Sequence, residues 1–125
     1  MIISSDDVKV FDGYVVASTN FVYTSGGLAG AGDGWESANY DKKWLVYGVS
    51  SLDATTLTIR VEGRGTHYDR AASLCIAQET AVTNIDKVIE LDEAVDEVRV
   101  GVKLDAVASP TGNIVYAGLF RQERR

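Results

Sequence analysis

The chain is short of three residue types: it has one cysteine (Cys75), one proline (Pro110) and one histidine (His67). A lone cysteine excludes an internal disulfide, so stability must come from packing within the chain or against other chains. No apolar segment approaches the length needed to cross a bilayer, and no membrane partner is expected. No basic stretch followed by an apolar run and a small-residue cleavage site opens the sequence at Met1, so no secretory signal is expected. A soluble protein made in the cytoplasm is the expectation. Positive charge is also scarce. Twelve Lys and Arg face eighteen Asp and Glu, and a net charge of −6 argues against nucleic-acid binding through phosphates. The exception is Arg121, Arg124 and Arg125, read as a basic C-terminal tail over 121–125.

What is present is β patterning. At 125 residues the chain fits one domain, 1–125, with enough apolar residues for a real core. Over Thr56–Glu62, Leu57, Ile59 and Val61 share one face, and Thr58, Arg60 and Glu62 the other. Over Val98–Leu104, Val98, Val100, Val102 and Leu104 alternate with Arg99, Gly101 and Lys103. β-branched residues at period two suit a pleated, half-buried surface, and a helix would scatter them around its axis. Further strands are predicted at Val8–Phe11, Tyr14–Ala17, Phe21–Tyr23, Trp44–Val49, Ser73–Gln78, Ile85–Leu91 and Ile114–Arg121.

Turn chemistry separates most of these segments. Asp12-Gly13 reads as a tight hairpin between the first two, and Ser109-Pro110-Thr111-Gly112 as a type I turn. Ile85–Leu91, an acidic turn over Asp92–Asp96 and the Val98 strand read as a hairpin in preference to a helix, because β-branched residues lose side-chain freedom in a helix. The glycine-rich stretch 26–40, beginning Gly26–Gly34, reads as a loop or arm. About eight short strands spaced by turns predict an antiparallel β-sandwich of jelly-roll or related Greek-key type.

Two segments are apolar on both faces: Trp44-Leu45-Val46-Tyr47-Gly48-Val49 and Ile114-Val115-Tyr116-Ala117-Gly118-Leu119-Phe120. Tyr14–Ala17 repeats the pattern more weakly. Antiparallel strands of this kind must be covered on the second face, by the chain's own 26–40 loop with Trp35 or by a neighbouring subunit. The polar faces carrying Arg60 and Glu62, and Arg99 and Lys103, are expected in water.

Chemical motifs are weak. His67 lies in Arg64-Gly65-Thr66-His67-Tyr68-Asp69-Arg70, and a base needs a nucleophile and an orienting partner. Cys75 has no neighbour that would lower its pKa, so a surface His67 and a buried, inert Cys75 are expected. Asp92, Glu93, Asp96 and Glu97 lack the alternating ligands and central glycine of an EF-hand loop. Gly30–Gly34 lacks the following Lys-Ser/Thr of a phosphate loop. Glu62 and Arg64, with Asp69 and Arg70, read as a loop-fixing ion pair. No catalytic residue, metal or cofactor is expected. The candidate interface or ligand-contact residues are aromatic: Trp35, Tyr40, Trp44, Tyr47, Tyr116 and Phe120. Trp35, Tyr40, Trp44 and Tyr47, near Asp33, Asn39 and Asp41, admit the alternative of a carbohydrate-binding module that stacks sugar faces on flat rings.

At Leu57–Leu74 (LTIRVEGRGTHYDRAASL), Val88–Leu104 (VIELDEAVDEVRVGVKL) and Asn113–Leu119 (NIVYAGL), the sequence resembles small virion structural proteins of tailed phages. The resemblance covers roughly the C-terminal two thirds of the chain. It implies a non-enzymatic β-sandwich that decorates or cements a capsid, or serves in the neck or tail. It further implies a place in the virion, with major capsid or tail and neck proteins and further copies of the chain as partners.

Overall fold

The structure is a computed structural model that describes residues 3–25, 28–29, 35–37, 42–53, 56–64, 74–91, 97–106 and 112–124. The strands are β1 (Ile3–Val15), β2 (Val22–Ser25), β3 (Leu28–Ala29), β4 (Glu36–Ser37), β5 (Lys42–Ser50), β6 (Leu57–Arg64), β7 (Leu74–Ala81), β8 (Ile85–Leu91), β9 (Glu97–Leu104) and β10 (Ile114–Arg124). Pairing is antiparallel and nested: β1 with β10, β2 with β9, β5 with β8, β6 with β7. Joining β10 to β5 and β9 to β6 gives one sheet ordered β1-β10-β5-β8 and another ordered β3-β2-β9-β6-β7, with β4 also on β9. Rolling a long nested hairpin into two facing sheets is the jelly roll.

The core lies between the sheets. Leu45, Tyr47, Val49, Val115, Ala117, Leu119, Val10, Phe11 and Leu91 enter from the first sheet. Leu57, Ile59, Val61, Val98, Val100, Val102 and Leu104 enter from the second. The alternation read in β6 and β9 therefore sets the inner face as expected. At one open side, Lys87 on β8 and Glu79 on β7 form an ion pair between edge strands of the two sheets. At an end of the sandwich, buried Asn113 (φ 60°) accepts from the backbone N–H of Asp53 at 3.0 Å and donates from Nδ2 to Asp53 Oδ1 at 2.7 Å.

Several expectations are corrected. Asp12-Gly13 does not turn the chain: 3–15 is one strand, and Gly13 is an extra residue at a bulge, with φ of 70°. A left-handed residue suits a bulge as well as a hairpin turn, so the dipeptide alone does not separate them. Ile85–Leu91 and Glu97–Leu104 are strands, but they belong to different sheets and form no hairpin. Part of the glycine-rich stretch is strand, since Leu28–Ala29 pairs with β2 and Glu36–Ser37 with β9. Residues 121–124 are no tail; they continue β10, and Arg121 is buried opposite Lys43. Cys75 is exposed, because β7 is an edge strand whose alternate positions face solvent. His67, Gly30–Gly34, Asp92–Asp96 and the Ser109–Thr111 part of the proposed turn lie outside the described residues.

Candidate docking surface

The two outer faces of the sandwich differ. On the β2-β9-β6-β7 sheet, β6 presents Thr58, Arg60, Glu62 and Arg64, and β9 presents Glu97, Arg99, Gly101 and Lys103. This face meets water only in part: Thr58 and Glu62 are buried beneath other parts of the chain, while Arg60, Arg64, Arg99 and Lys103 stay partly exposed. Tyr23 on β2 lies across Gly101, where a Cβ would stand 2.5 Å from the Tyr23 Cε1. Its hydroxyl donates to Glu62 Oε2 at 2.7 Å, and Arg99 Nε donates to Glu62 Oε1 at 2.9 Å. Arg60 Nε lies 3.2 Å from Glu62 as an ion pair not aligned for a hydrogen bond.

Arginines and aromatic rings interleave above this carboxylate. Arg99 sits 3.7 Å from the Tyr23 ring centre, and Arg64 sits 4.1 Å from that of Trp35. Arg64 also pairs with Glu97 at 3.1 Å, and Lys103 with Asp105 at 3.3 Å. Burial, then the Glu62 hydrogen bond and charge, raise the Tyr23 pKa above the usual phenol range against the opposing pull of Arg99 and Arg60. Asp105 is pushed up by burial, but hydrogen bonds from Thr56, Thr58 and Lys103, with the Lys103 charge, outweigh this and hold it low. Four cations, Arg60, Arg64, Arg99 and Lys103, share three carboxylates here, Glu62, Glu97 and Asp105, so each of them is paired. Glu62 and Arg64 do form ion pairs, with Arg99 and Glu97 on β9; Asp69 and Arg70 lie outside the described residues.

The outer face of the β1-β10-β5-β8 sheet is open. Register lays it out in rows: Asp12, Tyr116, Gly48, Asp86; then Lys9, Gly118, Val46, Val88; then Phe120, Trp44 and Glu90. Val46, Val88, Tyr116 and Phe120 remain 41, 61, 50 and 44% exposed. Gly48 and Gly118 lack side chains between these residues, and the result is an open groove of about 610 Å³. The chain's own loop does not supply the expected cover among the described residues. Trp35 and Glu36–Ser37 lie on the opposite sheet instead.

Of the candidate contact residues, Tyr116 and Phe120 line this groove, and Trp44 flanks it opposite Phe120. Tyr47 is corrected: its ring points between the sheets and is buried, one position out of phase with Trp44 and Val46. Trp35 packs under Arg64 and Arg99 on the other sheet, and Tyr40 lies outside the described residues. Trp35, Trp44 and Tyr47 therefore form no common aromatic platform. Sequence reading missed Val88, Asp86 and the two glycines. The available signal was Tyr116-x-Gly118-x-Phe120, a glycine on the same strand face as two rings. Among the described residues, no three His, Cys, Asp or Glu side chains come together as a metal site.

Fold and surface together define a jelly-roll module with one sheet face partly covered by its own chain and the other uncovered among the described residues. No family model matches the chain, and no curated protein matches it. Among solved structures it is similar to a chain of the disulfide-linked pili of Bacillus endospore appendages, with 9% identity, TM-score 0.45, and coverage of 96% of this chain and 85% of that one. It is also similar to murine APRIL, with 11% identity, TM-score 0.49 and coverage of 94% and 99%. A third likeness is to PirA, with 11% identity, TM-score 0.42 and coverage of 95% and 93%. At such TM-scores none of the three bears on function.

Proposed function

We propose that this chain is a non-catalytic structural component of a phage or virus-like particle, a capsid decoration or head–tail accessory protein. It attaches through the outer face of β1-β10-β5-β8. The observation that carries this reading is the patch of half-exposed Val46, Val88, Tyr116 and Phe120, spread over three adjoining rows of β10, β5 and β8. Burying an aliphatic or aromatic side chain fully stabilises by about 1.5–3 kcal/mol, so covering the exposed half of four contributes about 3–6 kcal/mol before the costs of association. A contiguous apolar face of this kind marks a contact site. The resemblance of Leu57–Leu74, Val88–Leu104 and Asn113–Leu119 to tailed-phage virion proteins supports the particle as the setting.

The test is cosedimentation with tailed-phage heads and tails assembled without this chain, beside Val88→Glu and Phe120→Glu variants. Binding by the parent and its loss in both variants is the expected result. A chain that binds neither particle, or variants that bind as well as the parent, would defeat the proposal. The carbohydrate alternative has lost the aromatic platform on which it stood.

A further inference from the structure

The charges along the groove go further than its apolar floor, and they bear on what occupies it. This step rests on the docking reading above. In the row Asp12, Tyr116, Gly48, Asp86, the Tyr116 ring leans towards β1. Its hydroxyl lies 3.4 Å from where a Gly13 side chain would begin. Asp86 folds inward from β8 until its carboxylate overhangs Gly48, where a Cβ would collide with Oδ1. Gly48 itself fills nothing. Two strand spacings separate the Tyr116 and Asp86 backbones, about 10 Å. The Tyr116 ring and the Asp86 carboxylate thus line the same open groove from two strands.

Asp86 and Glu90 have no cation of their own among the described residues. Lys87, between them in sequence, points to the other side of the strand and is held by Glu79. Lys9 is engaged by Asp12 at 3.5 Å. The β8 rim of an apolar groove thus carries uncompensated negative charge. A second copy would bring the same acids to this rim, on a chain whose net charge is already −6. Like charges brought together across a contact oppose it.

We infer that the groove receives a protein segment in which an apolar side chain sits beside an arginine or lysine. The apolar group rests on Val46, Val88, Gly118 and Phe120. The cation stands beside the Asp86 carboxylate, on the side of the groove that faces the Tyr116 ring. A cation held by a ring face on one side and an acid on the other gains from both.

The experiment is a backbone-amide NMR titration of the full chain with two capped pentapeptides. One has the order valine, arginine, leucine, arginine, valine; its counterpart has glutamate in place of arginine. The arginine peptide should shift the amides of Gly48, Asp86, Val88 and Gly118, and the glutamate peptide should not. Asp86→Asn should weaken the arginine peptide by about twofold to fivefold, the usual span for an accessible charge pair. Equal binding of both peptides overturns the cation seat while leaving the docking face standing. Shifts at the same amides that grow with protein concentration alone also overturn it, making a second copy the occupant. No shift with either peptide, joined to failure of particle binding, removes both readings together.

Discussion

Val88 and Val100 offer a matched test of the open face. Both are valines in mid-strand, on β8 and β9, but Val88 is 61% exposed and Val100 is 0% exposed. Threonine replaces one methyl by a hydroxyl at nearly the same volume and keeps the β-branch, so strand preference and χ1 freedom barely change. In Val100→Thr the hydroxyl enters the layer between the sheets beside Val61, away from water. Burying it unpartnered costs about 1–3 kcal/mol. With a urea slope of about 1–2 kcal/mol per molar, the unfolding midpoint should fall by about 1 M. In Val88→Thr the hydroxyl stays hydrated, and stability should change by no more than about 0.5 kcal/mol. The same variant should weaken particle binding, because it places a polar group on the groove floor. Both measurements use dilute protein, where any association would reveal itself as a concentration-dependent midpoint. If Val88→Thr costs as much as Val100→Thr at every concentration, the chain covers this face itself and the docking argument fails.

Other expectations follow from the covered face and the loops. Glu62→Ala leaves Arg60, Arg99 and the Tyr23 hydroxyl without their shared acceptor. The cost should be about 2–3 kcal/mol, held down because both arginines reach water. A double-mutant cycle with Tyr23→Phe should show coupling above about 0.5 kcal/mol; strict additivity would contradict the network. Asp105 has a lowered folded pKa, so its stabilisation is present above the ordinary carboxylate range and is lost as pH falls through the folded value. Asp105→Asn should therefore lower stability at neutral pH and flatten the loss below about pH 4, followed by urea midpoints against pH. Asn113→Ala loses both Asp53 hydrogen bonds and leaves a left-handed backbone, at an expected cost of about 2–4 kcal/mol in thermal or urea unfolding. Asn113→Gly relieves the backbone and should recover about 1 kcal/mol of it. Gly118→Val puts a side chain into the groove against only the Val8 carbonyl at 3.4 Å, and should reduce docking with little effect on folding.

Which strands exist was legible because alternation is local. Leu57, Ile59 and Val61, and likewise Val98 to Leu104, declare an inner face through a period that needs no partner. Which strands pair was not legible. Ile85–Leu91 and Glu97–Leu104 are neighbours in sequence, yet each pairs with a strand far along the chain, Trp44 with Glu90 and Arg60 with Gly101. The Asp12-Gly13 bulge was misread for a related reason: a positive φ serves a bend within a strand as well as a reversal.

The surplus of apolar residues on both faces of β5 and β10 could be read directly from the order of amino acids, since side chains alternate whatever the partner strand. Whether that surplus would be covered could not, because cover comes from residues distant in the chain. The same alternation looked polar on β6 and β9 and apolar on β5 and β10. Folding brought Phe21, Tyr23 and Trp35 over the polar pair and left the apolar pair uncovered. Strand identity is a property of neighbours along the backbone, whereas an open or closed face depends on what the rest of the chain can reach.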